Sequence, residues 1–273
     1  MAENTEGTKK PPKVLVSIPT GPSKDYASFY MVAALENLDY DNFEVAWFIT
    51  KVEDKADAFI EKINSLMKMS RVKSWGIHST SITAQELATP YIAVTVNRKA
   101  IRAYFLDGDY DYLMIVGGDN PPNRSAVKRL LKCDADAAIG VSYQRPGQDK
   151  YFPGSVYPML WTYAWKPQEL EGRNLEPLLL EELRKAFLVA TFYVPVYIDS
   201  EWDKKEMIEY IAGGDGNGLY SRRVMESVGW TIPASGFHSE DMHFFNYANL
   251  LGFKTVADIG YHVPHLAPDG SVY

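Results

Sequence analysis

The sequence predicts an α/β fold in which helices flank a mixed, mostly parallel sheet, with a small antiparallel subdomain in the second half. Short runs rich in β-branched and aromatic residues alternate with longer segments that carry apolar residues at helical spacing. Strand–helix–strand order of this kind favours parallel pairing. A chain of 273 residues, 46% of them hydrophobic, is long enough to bury a large core.

Five apolar runs in the first half have the length and composition of buried strands, and each except the last is followed by a helical segment. The predicted strands are residues 13–18, 43–50, 72–79, 112–116 and 135–141. The predicted helices are residues 26–38, 56–69, 91–105 and 126–131. Residues 1–12 are polar and end in Pro-Pro, which predicts a flexible arm before a single domain over residues 13–273.

The second half is less regular. From Gln144 to about Asp203 the text is rich in aromatic residues and proline, and we expect antiparallel strands around a charged helix at 178–190. Further along, the periodicity predicts a helix at 219–228, a helix at 241–251 that ends at Gly252, and a last strand at 254–258.

Composition narrows the classes of function. A formal charge of −7 disfavours a broad nucleic-acid surface, because phosphate contacts need cations. The single cysteine, Cys133, excludes an internal disulfide framework and a cysteine-cluster metal site. The chain has no secretory signal and no run of about 20 apolar residues that could span a bilayer. We therefore expect a soluble cytoplasmic protein.

Asp119 is the first candidate functional residue. It follows the predicted strand 112–116 and the pair Gly117-Gly118, at the place where open α/β sheets bind ligands. A carboxylate there can hold a hard divalent cation and leave room for substrate phosphates. The alternative is that Asp119 caps the helix that follows Pro121-Pro122.

Glu240 and Asp241 form a second acidic site at the start of a predicted helix. One carboxylate could bind a metal while another removes a proton from a hydroxyl nucleophile. The alternative is that both are there only because the helix dipole stabilises acidic side chains in the first turn. The spacing of His262 and His265 in a Pro-containing loop is too irregular for a helical zinc motif.

The order of these segments over residues 14–265 resembles that of the GT-A (Rossmann-like) glycosyltransferases, in particular the inverting family 2-like enzymes. The segments that carry the resemblance are VLVSIPT, Asn97-Arg98, DYDYLMIVGGDNPPN, DADAAIGVSYQRP, GNGLYSRRVMESVGW and SEDMHFFNYANLLGFKTVAD. The resemblance implies a nucleotide-sugar-binding half at 13–143 and an acceptor-binding, catalytic half at 144–273.

The resemblance also implies roles for individual residues. Asp119 is the last carboxylate of a DXD-like motif and binds Mn²⁺ or Mg²⁺ together with His265, with His262 as the reserve ligand. Asp241 is the catalytic base, and Glu240 positions the acceptor or replaces Asp241. The implied donor-binding residues are Pro19, Thr20, Gly21, Asn97, Arg98, Gly118 and Asp119. The implied acceptor-side residues are Gly214, Asp215, Gly216, His238 and Trp161, whose ring could stack on a sugar or pack in a core.

The expected reaction moves a sugar from a nucleoside diphosphate sugar to a hydroxyl acceptor with inversion, and the first donor expected is a UDP-sugar. Two departures from the pattern stand out. Gly117 replaces the first DXD carboxylate, so either metal affinity is weak or Asn120 and water complete the metal shell. No clear acid follows the second strand to bind uracil.

Two other classes of function remain open. A nucleotidyltransferase also uses an α/β sheet and metal-bound carboxylates, but it needs a basic glycine-rich loop, and residues 19–24 hold one lysine. A non-catalytic sugar-binding module would keep the fold without the chemistry, and Gly117-Gly118 favours that alternative.

Overall fold

A computed structural model of the chain gives the positions of the main elements. It describes residues 10–51, 56–83, 86, 90–144, 157–158, 160–163, 193–195, 207–209, 211–214, 217–231 and 240–272. The predicted helix 178–190 and the predicted site residues Asp215, Gly216 and His238 lie outside these residues.

The first half of the chain confirms the predicted alternation of strands and helices, with ends shifted by a few residues. The strands are β1 (Val14–Thr20), β2 (Phe43–Lys51), β3 (Trp75–Ser81), β4 (Tyr112–Ile115) and β5 (Ala137–Gln144). The helices are α1 (Ser28–Glu36), α2 (Asp57–Met69), α3 (Pro90–Asp107) and α4 (Ala126–Lys132). A 3₁₀ turn at Pro22–Ala27 replaces the predicted start of the first helix, consistent with proline at its first position.

The second half contains short strands and two helices among the described residues. The strands are β6 (Tyr157–Pro158), β7 (Leu160–Tyr163), β8 (Tyr193–Pro195), β9 (Met207–Glu209), β10 (Ile211–Gly214), β11 (Gly218–Ser221) and β12 (Thr255–Val263). The helices are α5 (Arg222–Ser227) and α6 (Glu240–Leu250). Helix α6 ends before Gly252, whose φ of +78° is the left-handed conformation expected of a glycine cap.

The described strands form a mixed, mostly parallel sheet, as predicted. Its order is β3-β2-β1-β4-β11-β5-β12-β9, with β6 also paired to β5. Strands β1 to β5 and β12 all run in one direction, while β11 lies antiparallel between β4 and β5. Strands β10, β7 and β8 form a separate antiparallel sheet.

The prediction of a helix from residue 219 was wrong, because Gly218–Ser221 is strand β11 and the helix begins at Arg222. Leu219 and Tyr220 are both buried, and they belong to the hydrophobic clusters on opposite faces of the sheet. Such alternation is the strand period. The Ser221 side chain then accepts a hydrogen bond from the Val224 amide at 3.3 Å and starts the helix.

Apolar side chains cover both faces of the sheet. One cluster includes Met31 of α1, Ile63 of α2 and Leu130 of α4, and the other includes Ile101 of α3, Met225 of α5 and Phe245 of α6. The architecture is therefore a sheet between two layers of helices. None of the described helices has the length and hydropathy needed to cross a membrane.

The direction of the strands determines the edge of the sheet at which each helix begins. A helix that precedes a parallel strand runs back across the sheet, so it begins at the edge formed by the carboxyl ends of the parallel strands. Helix α3 leads towards β4 and α6 leads towards β12, so both begin at the edge formed by the carboxyl ends of β1, β2 and β4. Ligands of open α/β sheets bind at this edge.

Candidate active site

Asp119 lies just beyond the end of β4, and its side chain is the centre of a polar cluster. The residue is only 5% exposed. One of its oxygens, Oδ2, forms an ion pair with the Lys24 ammonium, accepts a hydrogen bond from the Tyr26 hydroxyl at 3.0 Å, and lies 3.3 Å from Nε2 of His265. The structure therefore brings Asp119 and His265 into contact, as the sequence analysis expected.

Hydrogen bonds between the residues next to His265 and the loop after β4 explain how His265 reaches this place. The Leu266 amide donates to the Asp119 carbonyl at 2.9 Å, and the Asn120 side-chain amide donates to the Pro264 carbonyl at 3.3 Å. The segment after β12 is thus fastened to the loop after β4 on both sides of His265. This pairing holds the imidazole beside the carboxylate.

Lys24 and Tyr26 are site residues that the sequence analysis missed. Both belong to the 3₁₀ turn that follows β1, and the Tyr26 hydroxyl also lies 3.4 Å from the Leu266 carbonyl. The sequence contained one usable signal, because residues 19–24 directly follow a predicted strand. The loops that follow parallel neighbours meet at one edge of the sheet, and β1 and β4 are such neighbours.

The electrostatics of the cluster keep Asp119 charged. Burial raises the pKa of the Asp119 carboxyl, but hydrogen bonds from His265 and Lys24 and the charge of Lys24 outweigh it and lower the pKa to about 2. Burial lowers the pKa of Lys24, while its hydrogen bond and ion pair with Asp119 raise it above the usual value. The site therefore contains a buried Asp119 carboxylate that is ion-paired with the Lys24 ammonium.

Asp119 does not cap a helix, so that alternative is wrong. Helix α4 begins at Ala126 and its N-cap residue is Ser125, six positions beyond Asp119. The Asp119 carboxylate instead contacts side chains from the 3₁₀ turn and from the segment after β12.

Different steric contacts favour glycine at each of the two positions before Asp119. A Cβ on Gly118 would lie 2.6 Å from Oγ1 of Thr20 and 3.1 Å from the Pro19 carbonyl, so only glycine lets the ends of β1 and β4 approach so closely. A side chain on Gly117 would overlap the Asn120 side-chain amide. The space beside Gly117 is thus filled by the side chain of Asn120, which is buried.

Asn97 and Arg98 connect α3 to two other elements at the same edge. The Asn97 side-chain amide donates to the Thr50 hydroxyl at 2.5 Å, near the end of β2, while Asn97 Oδ1 is buried and has no hydrogen-bond partner in the part of the chain that the structure describes. Arg98 Nη1 lies 3.0 Å from Glu240 Oε1, and both side chains are largely buried. Gly21 lies next to Thr50, with its Cβ position 3.8 Å from the threonine Cβ.

Glu240 and Asp241 differ in their surroundings although they are neighbours in the chain. Glu240 is buried and paired with Arg98, whereas Asp241 is half-buried in the first turn of α6. Helix α6 packs against β10, which ends at Gly214, and the backbone of Trp161 pairs with the neighbouring Gly213. The structure thus places Gly214 and Trp161 on adjacent strands close to α6.

The description of His262 and His265 as members of one loop was partly wrong. Strand β12 is longer than predicted and includes His262, whose side chain is exposed, while His265 follows the strand. A register shift between Asp258 and His262 interrupts the pairing with β5, and the strand resumes after it. Asp119 contacts His265, and His262 points to the surface.

Among solved structures, the mannosyltransferase PcManGT from Pyrobaculum calidifontis, in complex with GDP-Man and Mn²⁺, superposes with a TM-score of 0.51. The identity is 12%, over 93% of this chain and 57% of that chain. The chain has a GT-A-like fold. S. aureus TarS 1-349 in complex with UDP-GlcNAc matches with a TM-score of 0.47 and 10% identity, over 90% of this chain and 58% of that one.

The GT-A-like chain therefore spans a little over half of the length of these solved structures. No protein-family model matches its sequence, and no curated protein matches it.

Proposed function

We propose that the protein is a glycosyltransferase that moves a sugar from a nucleoside diphosphate sugar to a hydroxyl acceptor with inversion. The observation that carries this proposal is the buried Asp119 carboxylate, which meets His265 and Lys24 at the carboxyl edge of a GT-A-like sheet. Charged groups fixed at that edge suit a diphosphate and its counter-ion. PcManGT, which shares this fold, binds GDP-Man and Mn²⁺.

The residues around Asp119 fit Mn²⁺ or Mg²⁺ as a cation shared with the donor. Within the part of the chain that the structure describes, no group of three His, Cys, Asp or Glu side chains forms a cage for a metal ion. Mg²⁺ normally takes only one or two carboxylates, completed by water and substrate phosphates. Asp119 and His265 would hold the ion, which when bound neutralises charge on the diphosphate leaving group.

The donor nucleotide would lie at the ends of β1 and β2. Thr20 and Gly118 are in close contact there, and Gly21 leaves the backbone accessible beside Thr50. Among the described residues the buried Asn97 Oδ1 has no hydrogen-bond partner, so it could accept a hydrogen bond from a base or ribose group. UDP-sugars are the first donors to test, and GDP-mannose is the second because of PcManGT.

Asp241 would act as the base that takes the proton of the acceptor hydroxyl. It is half-buried at the start of a helix that begins at the donor edge, whereas Glu240 is buried. A base must lie within hydrogen-bond reach of the proton it removes, and this geometry leaves Asp241 the better candidate of the two. The acceptor side would be lined by Gly214 and Trp161 and, from the sequence, by Asp215, Gly216 and His238.

Asp241→Asn tests this assignment, with Asp39→Asn, at an exposed carboxylate that pairs with Lys128, as the matched control. Sugar transfer or donor hydrolysis would be measured with UDP- and GDP-sugars and Mn²⁺, and donor binding by thermal shift. A ligand at 100 times its Kd adds about 2.7 kcal/mol to the folded state. We expect Asp241→Asn to lose turnover and keep the thermal shift. Undiminished turnover in Asp241→Asn would show that another residue is the base.

A non-catalytic sugar-binding protein is the second candidate. It is favoured by Gly117, which stands where the resemblance expects the first DXD carboxylate, and by the buried Asn120 amide beside it. Such a protein would show the thermal shift with donor nucleotides but no turnover with any sugar in the wild-type chain.

A further inference from the structure

We propose that Lys24 is a built-in counter-cation of Asp119, which must leave the carboxylate before a divalent cation can bind. Lys24 would thereby couple cation binding to the arrival of the donor diphosphate. This inference rests on the proposed function, because it assigns Asp119 to the cation and the diphosphate to the same edge of the sheet.

The first step is competition for one oxygen atom. The Lys24 ammonium, the Tyr26 hydroxyl and the His265 imidazole all converge on Oδ2 of Asp119. A divalent cation shared by Asp119 and His265 would have to enter this cluster. An ammonium and a divalent cation repel each other at contact distance, so both cannot stay on the same carboxylate oxygen.

The second step concerns where the lysine can go. The Lys24 side chain is 40% exposed, and it extends from a turn whose regular geometry is interrupted at Lys24 itself, with φ −104° and ψ 15°. Lysine has a flexible four-carbon stem and binds phosphate as a point charge. Released from Asp119, the ammonium stays tethered at the donor edge and can pair with a phosphate oxygen.

The third step is thermodynamic. Without nucleotide, a divalent cation must displace Lys24 without any compensation for the lost ion pair. With a nucleoside diphosphate present, the displaced ammonium gains a phosphate partner and the cation gains phosphate ligands. Each ligand therefore favours the other, and the coupling must be equal in both directions. The cation would bind weakly alone and much better with the nucleotide.

The experiment measures Mn²⁺ binding by the loss of the free-ion paramagnetic resonance signal, with and without UDP or GDP. The variants are Lys24→Met and, with polarity retained, Lys24→Gln. Lys62→Met is the matched control, because Lys62 pairs with Asp25 beside the same turn and does not contact Asp119 in the cluster described. Thermal unfolding of each variant checks that the fold is retained.

We expect both Lys24 variants to bind Mn²⁺ alone about tenfold more tightly than the wild type, since a charge-assisted hydrogen bond no longer competes. The enhancement by UDP or GDP should shrink by a similar factor, and metal-free nucleotide binding should weaken. Lys62→Met should behave as the wild type.

Two outcomes would overturn the proposal in distinguishable ways. If Mn²⁺ binds in a nucleotide-dependent manner but equally well to the wild type and both Lys24 variants, the role of Lys24 is wrong and the proposed function stands. If Mn²⁺ binds to none of the proteins, with or without nucleotide, the metal site of the proposed function fails and the inference fails with it.

Discussion

Breaking the Arg98–Glu240 pair by Glu240→Leu tests whether Glu240 holds helix α6 in place. The charged atoms are 3.0 Å apart, and the side chains are only 13% and 7% exposed. The Arg98 guanidinium also lies 5.7 Å from the centre of the Trp230 ring. Removing one partner of a buried ion pair costs about 3–5 kcal/mol, whereas replacing both partners with apolar residues is often neutral or stabilising.

The assay is thermal and urea unfolding of Glu240→Leu, of the double variant Arg98→Met/Glu240→Leu, and of Asp39→Leu. A destabilisation of about 3–5 kcal/mol lowers the Tm of a chain of this size by about 6–20 °C. The double variant should recover most of this loss. Asp39→Leu breaks the exposed pair with Lys128 and should cost less than about 1 kcal/mol.

Two results would refute the reasoning. One is a Glu240→Leu variant that unfolds at the wild-type temperature, which would mean that the pair does not hold the helix. The other is a double variant that is no more stable than Glu240→Leu. Turnover supplies a further distinction. Loss of sugar transfer in a fully stable Glu240→Leu variant would assign Glu240 to the chemistry, beside or in place of Asp241.

Two further predictions concern single positions, Gly117 and Cys133. Gly117→Asp should lower the free energy of unfolding by about 1–3 kcal/mol, because its side chain overlaps the Asn120 amide, and adding Asn120→Ala should relieve the overlap and tighten Mn²⁺ binding. Equal urea midpoints for Gly117→Asp and the wild type would contradict this steric account. Burial, and then the charge of Asp258, raises the pKa of the Cys133 thiol to about 11. At pH 8 the native thiol should therefore react with a disulfide reagent at least about 100-fold more slowly than in urea, and equal rates would show that it is accessible.

Much of the fold could be predicted because its signals are local. The β-branched run that begins at Val14 and the apolar run before Gly117 each form a strand, and the helical spacing between strands is readable within one window. The error at Gly218–Ser221 has the opposite cause. Its four residues are a strand only because β4 and β5 pair with them from both sides. No local pattern distinguishes such a short buried strand from the start of the helix that follows.

The amino-acid sequence alone determined the alternation of strands and helices and the position of Asp119 after a buried strand. It also made His265 a candidate metal ligand. The tertiary structure decided which side chains meet. The partners of Asp119 are 95 residues away at Lys24 and 146 residues away at His265, and they reach it because the carboxyl ends of parallel strands share one edge. The periodicity of apolar residues indicates which face of each segment is buried. Contacts between residues so far apart in the chain depend instead on the order of the strands in the sheet.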